Sequence, residues 1–275
     1  VTEVRGKPGL QTGFCVRNSL ESLFIKEELS GDYDEEVSTR GKPRSGVIPG
    51  ASQCAPTVTH RGVQRGEAPL HFFYPPRLGV RGLISDMHPI DKAKLIEEKL
   101  PSLYRQLQIC HLCPRKCEAN RRAGETGYCG AGQDMVVYTA FLHHGEEPGI
   151  SGEKGSGTIF FSGCNLKCVY CQNSRFSHTI EGSRVGCEDL ARIMVRLQEK
   201  GAENINLVTP THFLPWVMDG LAKAFRNGLT LPIVYNTSGY ETVETVKVLG
   251  DAVDIYLADM RYVTPSLADR YSRAP

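Results

Sequence analysis

The chain has 275 residues, of which 40% are hydrophobic, and its formal net charge is +1. That length suits one large domain with an appendage, or two modest domains. The near-neutral, moderately apolar composition argues against a disordered polyelectrolyte and against a partner held by bulk charge, such as nucleic acid.

No apolar run is long enough to predict a membrane-spanning helix. The opening residues, Val1 to Lys7, are polar and lack a signal core. The chain begins at Val1 rather than Met, so the translation start is expected to lie elsewhere. Of the ten cysteines, seven fall in two tight groups: Cys110, Cys113, Cys117 and Cys129, then Cys164, Cys168 and Cys171. Cys15, Cys54 and Cys187 are scattered. Without a secretion signal, clustered cysteines read as metal ligands in a reducing, cytoplasmic setting rather than as disulfides.

Residues 1–85 show no helical or strand period apart from the apolar patch Leu20 to Ile25. They are expected to form a poorly ordered leader. The alternative is an extension packed through Phe72, Phe73 and Tyr74, with Pro75-Pro76 as a stiff link. The next segment, 86–134, is expected to be helical and then metal-binding. Asp91 to Leu100 is rich in helix formers, with Asp91 as N-cap, and Pro101 is expected to start a second helical turn.

Then comes a C-x2-C-x3-C-x11-C set, Cys110, Cys113, Cys117 and Cys129, with glycines and a proline that permit tight turns. Four such ligands would close a tetrahedral site for zinc or an accessory iron–sulfur cluster. Four unligated thiols are the alternative, and His111 is expected to point away. Arg115, Lys116, Arg121 and Arg122 form a small basic patch, read as a solvated face.

The third segment, 135–275, opens with a strand over Met135 to Leu142. It leads into His143-His144-Gly145-Glu146-Glu147, either an active-site mouth or, as the residues alone favour, a polar turn. Thr158 to Gly163 is a second strand, running into Cys164-x3-Cys168-x2-Cys171. Three thiolates at this spacing hold three corners of a cubic cluster and leave one iron open to bind and reduce a ligand. Leu190, Ile193, Met194 and Leu197 make a helical stripe, and Phe213, Leu214, Val217 and Leu221 another. Asn204 to Thr209, Leu231 to Asn236 and Val253 to Asp259 read as strands, with a helix over Glu241 to Leu249. The alternation predicts an α/β fold with a parallel sheet and chemistry at the strand C-terminal ends.

Cys164-x3-Cys168-x2-Cys171, with Tyr170 before the third cysteine, resembles the signature of the radical S-adenosylmethionine (radical SAM) superfamily. The wider context sharpens this: His144-Gly-Glu-Glu-Pro148, Gly155 to Leu166, Cys171-Gln-Asn173, Val208-Thr-Pro-Thr-His212 and Tyr235 to Tyr240. These resemble a largely uncharacterised branch similar to pyruvate formate-lyase activating enzymes, whose members tend to carry a Cys-x-x-Cys-Pro-Arg-x-Cys segment like Cys110 to Cys117. The resemblance covers about residues 90–275. It implies a (β/α) barrel, with Cys164, Cys168 and Cys171 as ligands of a [4Fe-4S] cluster and S-adenosylmethionine on the open iron. Reductive cleavage would then give a 5′-deoxyadenosyl radical for hydrogen abstraction.

Cofactor contacts are implied at strand ends. Thr209 and Thr211 stand where activating enzymes carry a glycine-rich acidic turn. Asn236 and Ser238 lie in the third strand's turn, which lacks the family's acid. Asp259 and Arg261 keep an acid–base pair, Arg261 being suited to the methionine carboxylate. His212 is read as opening the following helix, with a catalytic role as the alternative.

The resemblance also implies an electron donor such as flavodoxin or ferredoxin, and a protein substrate of the glycyl-radical type or a small molecule or peptide. No nucleic acid or membrane is implied. The family barrel has about six strands, whereas the array of strands separated by helices read here reaches four, from Thr158 to Asp259. A truncated, partial barrel that binds a cluster but turns over poorly is therefore expected. An iron–sulfur electron carrier and a zinc-dependent interaction module remain the alternatives.

Overall fold

A computed structural model describes residues 87–274. The expected leader, 1–85, lies outside the described residues. In chain order the elements are α1 (Pro89–Arg105), β1 (Val136–His143), α2 (Pro148–Ser151), β2 (Ser156–Phe161), α3 (Ser174–Ser177), β3 (Ser183–Arg184) and α4 (Cys187–Glu199). There follow β4 (Ile205–Val208), α5 (Leu214–Arg226), β5 (Ile233–Thr237), α6 (Val243–Leu249), β6 (Ile255–Ala258) and α7 (Pro265–Ser272).

α1 starts earlier than Asp91. His88 is the N-cap: its Nδ1 accepts from the Ile90 amide at 3.3 Å, and Pro89 fills the first helical position. Pro needs no N–H there and arrives with helical φ, so it outcompetes Asp91 as the starting signal. The helix also runs unbroken through Pro101. Pro101 gives up one backbone hydrogen bond of the helix and is exposed.

The sheet has six strands in the order β3-β1-β2-β4-β5-β6. β2, β4, β5 and β6 are parallel, in register through Phe160↔Val208, Val208↔Asn236 and Asn236↔Leu257. β1 runs antiparallel to β2, and the two-residue β3 pairs antiparallel with β1. The result is a mixed α/β fold, wider on one side than the parallel array read from sequence. At the other side β6 is the end of the sheet.

Alternation splits the sheet into two faces. Ile159, Ile205, Leu207, Ile233 and Tyr235 turn toward the helices and are fully buried. Leu190, Ile193, Met194 and Leu197 of α4 meet them with at most 1% exposure. Each such side chain contributes roughly 1.5–3 kcal/mol by leaving water. α4 and α5 approach closely at Gly220, where a Cβ would stand 2.8 Å from Leu190 Cδ2. The same buried cluster takes in Ala93, Ile96 and Leu103 of α1, and Leu107, Cys110 and Leu112 beyond it.

The basic patch is not a solvated face throughout. Lys116 and Arg122 are exposed, but Arg121 is 1% exposed and Arg115 half-buried. Backbone carbonyls capture both guanidinium groups. Arg121 Nε donates to Gly132 O at 3.0 Å and its Nη1 to His212 O at 2.5 Å.

Candidate functional site

The parallel strands end around one cavity of about 380 Å³, within the range of small-molecule sites. The first group of wall residues comes from the loop after β2: Gly163, Cys164, Leu166, Cys168 and Cys171. This loop departs from extended geometry at Gly163 (φ +81) and at Lys167 (φ +52). It is tied to its surroundings by Gly163 N donating to Phe176 O at 2.8 Å and Val169 N donating to Tyr271 O at 2.9 Å. Asn165 Nδ2 donates to Tyr240 O at 2.9 Å.

Each of the three sulfurs has a hydrogen-bonding neighbour. Cys164 Sγ accepts from the Leu166 amide at 3.4 Å, and the Lys167 amide also favours its thiolate. Ser272 Oγ donates to Cys168 Sγ at 2.9 Å. Ser177 Oγ lies 3.3 Å from Cys171 Sγ. Burial pushes the Cys164 thiol up, and the neighbouring cysteines add to the shift, while the two amides oppose it. Donors aimed at sulfur are what a charged thiolate ligand set needs in a partly dry site. Among the described residues, no group of three or more His, Cys, Asp or Glu side chains is already gathered as a metal-ligand set. The loop sulfurs share one wall without being drawn to a common point.

Of the strand-end residues, Thr209, Asn236, Ser238, Asp259 and Arg261 line the cavity. Thr209 sits in the left-handed region (φ +46), an uncommon conformation for a β-branched residue. It turns the chain at the end of β4, and its amide donates to Asn236 O at 2.7 Å. Ser238 is 7% exposed and its Oγ has no partner. Arg261 is paired with Asp259.

Thr211 is placed elsewhere. It is 1% exposed, and its hydroxyl donates to Glu241 Oε1 at 2.8 Å and lies 3.0 Å from Tyr235 Oη. The short 3-10 turn at Thr211–Phe213 carries its side chain into that buried network, so it is not a cavity contact.

His212 is also buried, at 2% exposure, with Nε2 donating to Ser162 O at 2.8 Å. Burial holds its pKa down to about 4. The ring is a neutral prop beneath the loop, and it neither faces the cavity nor simply opens a helix.

The segment after β1, for which the residues alone favour a polar turn, lies at the cavity. Because β1 pairs with β2, the turn after β1 folds over the cavity, where His143, Glu146 and Glu147 join the lining. Burial pushes the Glu146 carboxyl up, partly opposed by His143, whose Nδ1 lies 3.7 Å away. Asn206, on the same face of β4 as the lining Val208, is fully buried with both amide atoms unpartnered. His144 instead stands against Gly155. Phe160 and Phe176 supply apolar wall.

In the upstream set, Cys110, Cys113 and Cys129 are buried and Cys117 is exposed. Burial raises all three buried thiols, that of Cys113 to about 11. His111 is turned toward Glu118, with Nε2 3.6 Å from its carboxylate.

Residues 158–273 match the Radical SAM superfamily, so a domain of that superfamily is found from β2 to the end of α7. The chain is also 32% identical over 191 residues to an uncharacterised protein of Methanocaldococcus jannaschii, covering 66% of this chain and 54% of that one. The chain thus spans about half the length of this curated relative. No solved structure matches. Among the described residues no helix is long and apolar enough to cross a membrane.

Proposed function

We propose that this protein carries out radical S-adenosylmethionine chemistry, with Cys164, Cys168 and Cys171 as ligands of a [4Fe-4S] cluster. The fourth iron would be left to S-adenosylmethionine in the adjoining cavity. The observation that carries this reading is that three cysteines of one loop, each sulfur with its own hydrogen-bonding neighbour, line one cavity at the C-terminal ends of parallel strands. When bound, the cluster and S-adenosylmethionine supply reductive C–S cleavage and hydrogen-atom abstraction from substrate.

The chain's own residues bind, orient and shield. Arg261 offers a guanidinium for a carboxylate, balanced by Asp259. The unpartnered Ser238 hydroxyl and the Asn236 amide offer hydrogen bonds to polar groups. Phe160 and Phe176 narrow the water-accessible wall around a reactive intermediate. Glu146, Glu147 and His143 close the opposite rim, where a substrate would meet the cofactor.

Within this chemistry the finer reading is an activating-enzyme-like role toward a glycyl-radical partner protein, with a flavodoxin or ferredoxin as electron donor. Its support is the residue-level resemblance at His144 to Pro148 and Gly155 to Asn173. The reading as an iron–sulfur carrier has less support, since a carrier has no use for a polar cavity beside its cluster.

The test is anaerobic reconstitution of the chain with iron and sulfide, reduction, and addition of S-adenosylmethionine. The expected result is an S-adenosylmethionine-dependent change in the electron paramagnetic resonance spectrum of the reduced cluster, together with formation of 5′-deoxyadenosine. Both should vanish in Cys168→Ala. An intact reduced cluster whose spectrum ignores S-adenosylmethionine, with no 5′-deoxyadenosine formed, would leave the carrier as the function.

A further inference from the structure

Arg121 poses a problem of charge. Its side chain is 1% exposed, and its hydrogen-bond partners are two neutral carbonyls, Gly132 O and His212 O. The guanidinium lies against the rings of Trp216 at 5.0 Å and Phe213 at 5.8 Å. Its Nη2 is buried with no partner at all. Among the described residues no carboxylate forms an ion pair with it. A buried cation without a counter-charge costs several kcal/mol, and a well-packed core does not keep one without compensation.

The charge acts on two sulfurs, those of Cys110 and Cys129. These belong to a set of four cysteines close enough to raise one another's thiols, though no three of them are yet gathered as metal ligands. Cys110 and Cys113 come from the turns after α1, Cys117 from the end of the same knuckle, and Cys129 from across the loop. Gly127 keeps room for the Cys117 sulfur: a Cβ there would stand 2.4 Å from Cys117 Sγ.

We propose that Cys110, Cys113, Cys117 and Cys129 bind a metal centre as four thiolates, for which Arg121 is the buried counter-charge. Four thiolates around a divalent ion, or around an iron–sulfur cube, leave a net-negative centre. That negative charge is what the unpartnered guanidinium lacks. A bound centre would draw the four sulfurs from mutual neighbours into ligands.

The centre would also brace the loop of the candidate site. Arg115 lies between Cys113 and Cys117. Its Nε donates to Asn165 O at 2.6 Å, its Nη1 to Arg273 O at 2.6 Å and its Nη2 to Ser272 O at 2.8 Å. The same guanidinium stacks on Tyr128, 3.6 Å from the ring centre. Arg115 is therefore a positioning residue, linking the knuckle to the loop between Cys164 and Cys168 and to the serine that donates to Cys168.

The experiment removes the other metal loop. The full chain carrying Cys164→Ala, Cys168→Ala and Cys171→Ala is purified without oxygen, supplemented with zinc or with iron and sulfide, and assayed for bound metal. About one zinc per chain, or about four irons with matching sulfide, is expected and distinguishes the two centres. A folded triple variant without stoichiometric metal under either supplement overturns the proposal.

A second measurement uses the unmodified protein and does not depend on that variant folding. Cys117 is exposed, so as a free thiol it would be alkylated at once. Mass mapping should show Cys117 protected until a chelator strips the centre. Equal alkylation before and after chelation overturns the proposal. Arg121→Met should speed metal loss to chelator by about tenfold, the scale of supporting contacts around metal ligands, and Arg121→Lys should restore most of the retention.

Discussion

His212 shows how a residue with catalytic chemistry can be put to structural use. The ring sits under the cysteine loop, its Nε2 donating to Ser162 O at 2.8 Å, while Nδ1 is buried without a partner. Both features require the neutral tautomer protonated on Nε2, and burial holds the pKa down to about 4. The unfolded chain would titrate near pH 6.5. Between those values the unfolded state binds the proton and the folded state does not, so stability falls as pH drops from about 6.5 toward 4. The full difference amounts to about 3 kcal/mol. Urea denaturation of the wild type and of His212→Gln at pH 7, 6, 5 and 4 should show a shallower pH slope in the variant. Identical slopes would remove His212 from this role. The variant should also be less stable at pH 7 by about 1 kcal/mol, the usual worth of such a hydrogen bond.

The element that organises the site is the turn from β2 into the cysteine loop. Gly163 has φ +81, and a Cβ on it would stand 2.6 Å from Cys129 O and 2.9 Å from Ile180 Cδ1. The loop therefore rests directly on the upstream cysteine segment, backbone against backbone. Gly163→Ala combines left-handed strain with a clash against a carbonyl that cannot rotate away. A loss of about 2–4 kcal/mol is expected, seen as a lower urea midpoint at unchanged slope, together with weaker iron retention at Cys164, Cys168 and Cys171. An unchanged midpoint would mean that the turn yields more readily than its contacts indicate.

The C-x3-C-x2-C spacing and the strand ahead of it are legible in sequence, as are the stripes that make α4 and α5, because both rest on short periods. The close approach of Gly163 to Cys129 is not legible, because it depends on two loops meeting in space. The placement of Thr211 away from the cavity has a related cause. Thr209 turns left-handed and a 3-10 turn follows, a rotation that alternation along a strand does not encode. The His143 to Glu147 segment, read as either a mouth or a polar turn, is placed at the cavity once β1 is known to pair with β2. The two-residue β3 is too short to carry any period.

At the scale of the whole molecule, the helical and four-cysteine segment shares its buried interior with the sheet. α1 packs on α5, and Tyr104 of α1 meets Trp216 of α5 edge to face at 6.2 Å between ring centres. Tyr104 Oη donates to Asp219 Oδ2 at 2.9 Å. Lys92 of α1 reaches Asp254, ahead of β6, at 2.6 Å, with side chains 5% and 0% exposed. Asp254 Oδ2 also accepts from the Ile233 amide of β5 at 2.9 Å. A pair this deeply buried holds α1 to a defined position on the sheet, and removing one partner costs about 3–5 kcal/mol.

Such sharing of one core predicts a single cooperative unfolding event for residues 87–274 rather than separate events for 86–134 and 135–275. The chain's single tryptophan reports on the junction, since Trp216 touches α1 through Tyr104, the upstream loop through Arg121, and Phe213 beside it. Urea unfolding followed by Trp216 fluorescence should therefore coincide with unfolding followed by far-ultraviolet circular dichroism. Lys92→Met should move both curves together to lower urea. A fluorescence transition that precedes the loss of sheet and helix signal would show instead that α1 and the cysteine knuckle detach first, leaving the sheet to stand alone.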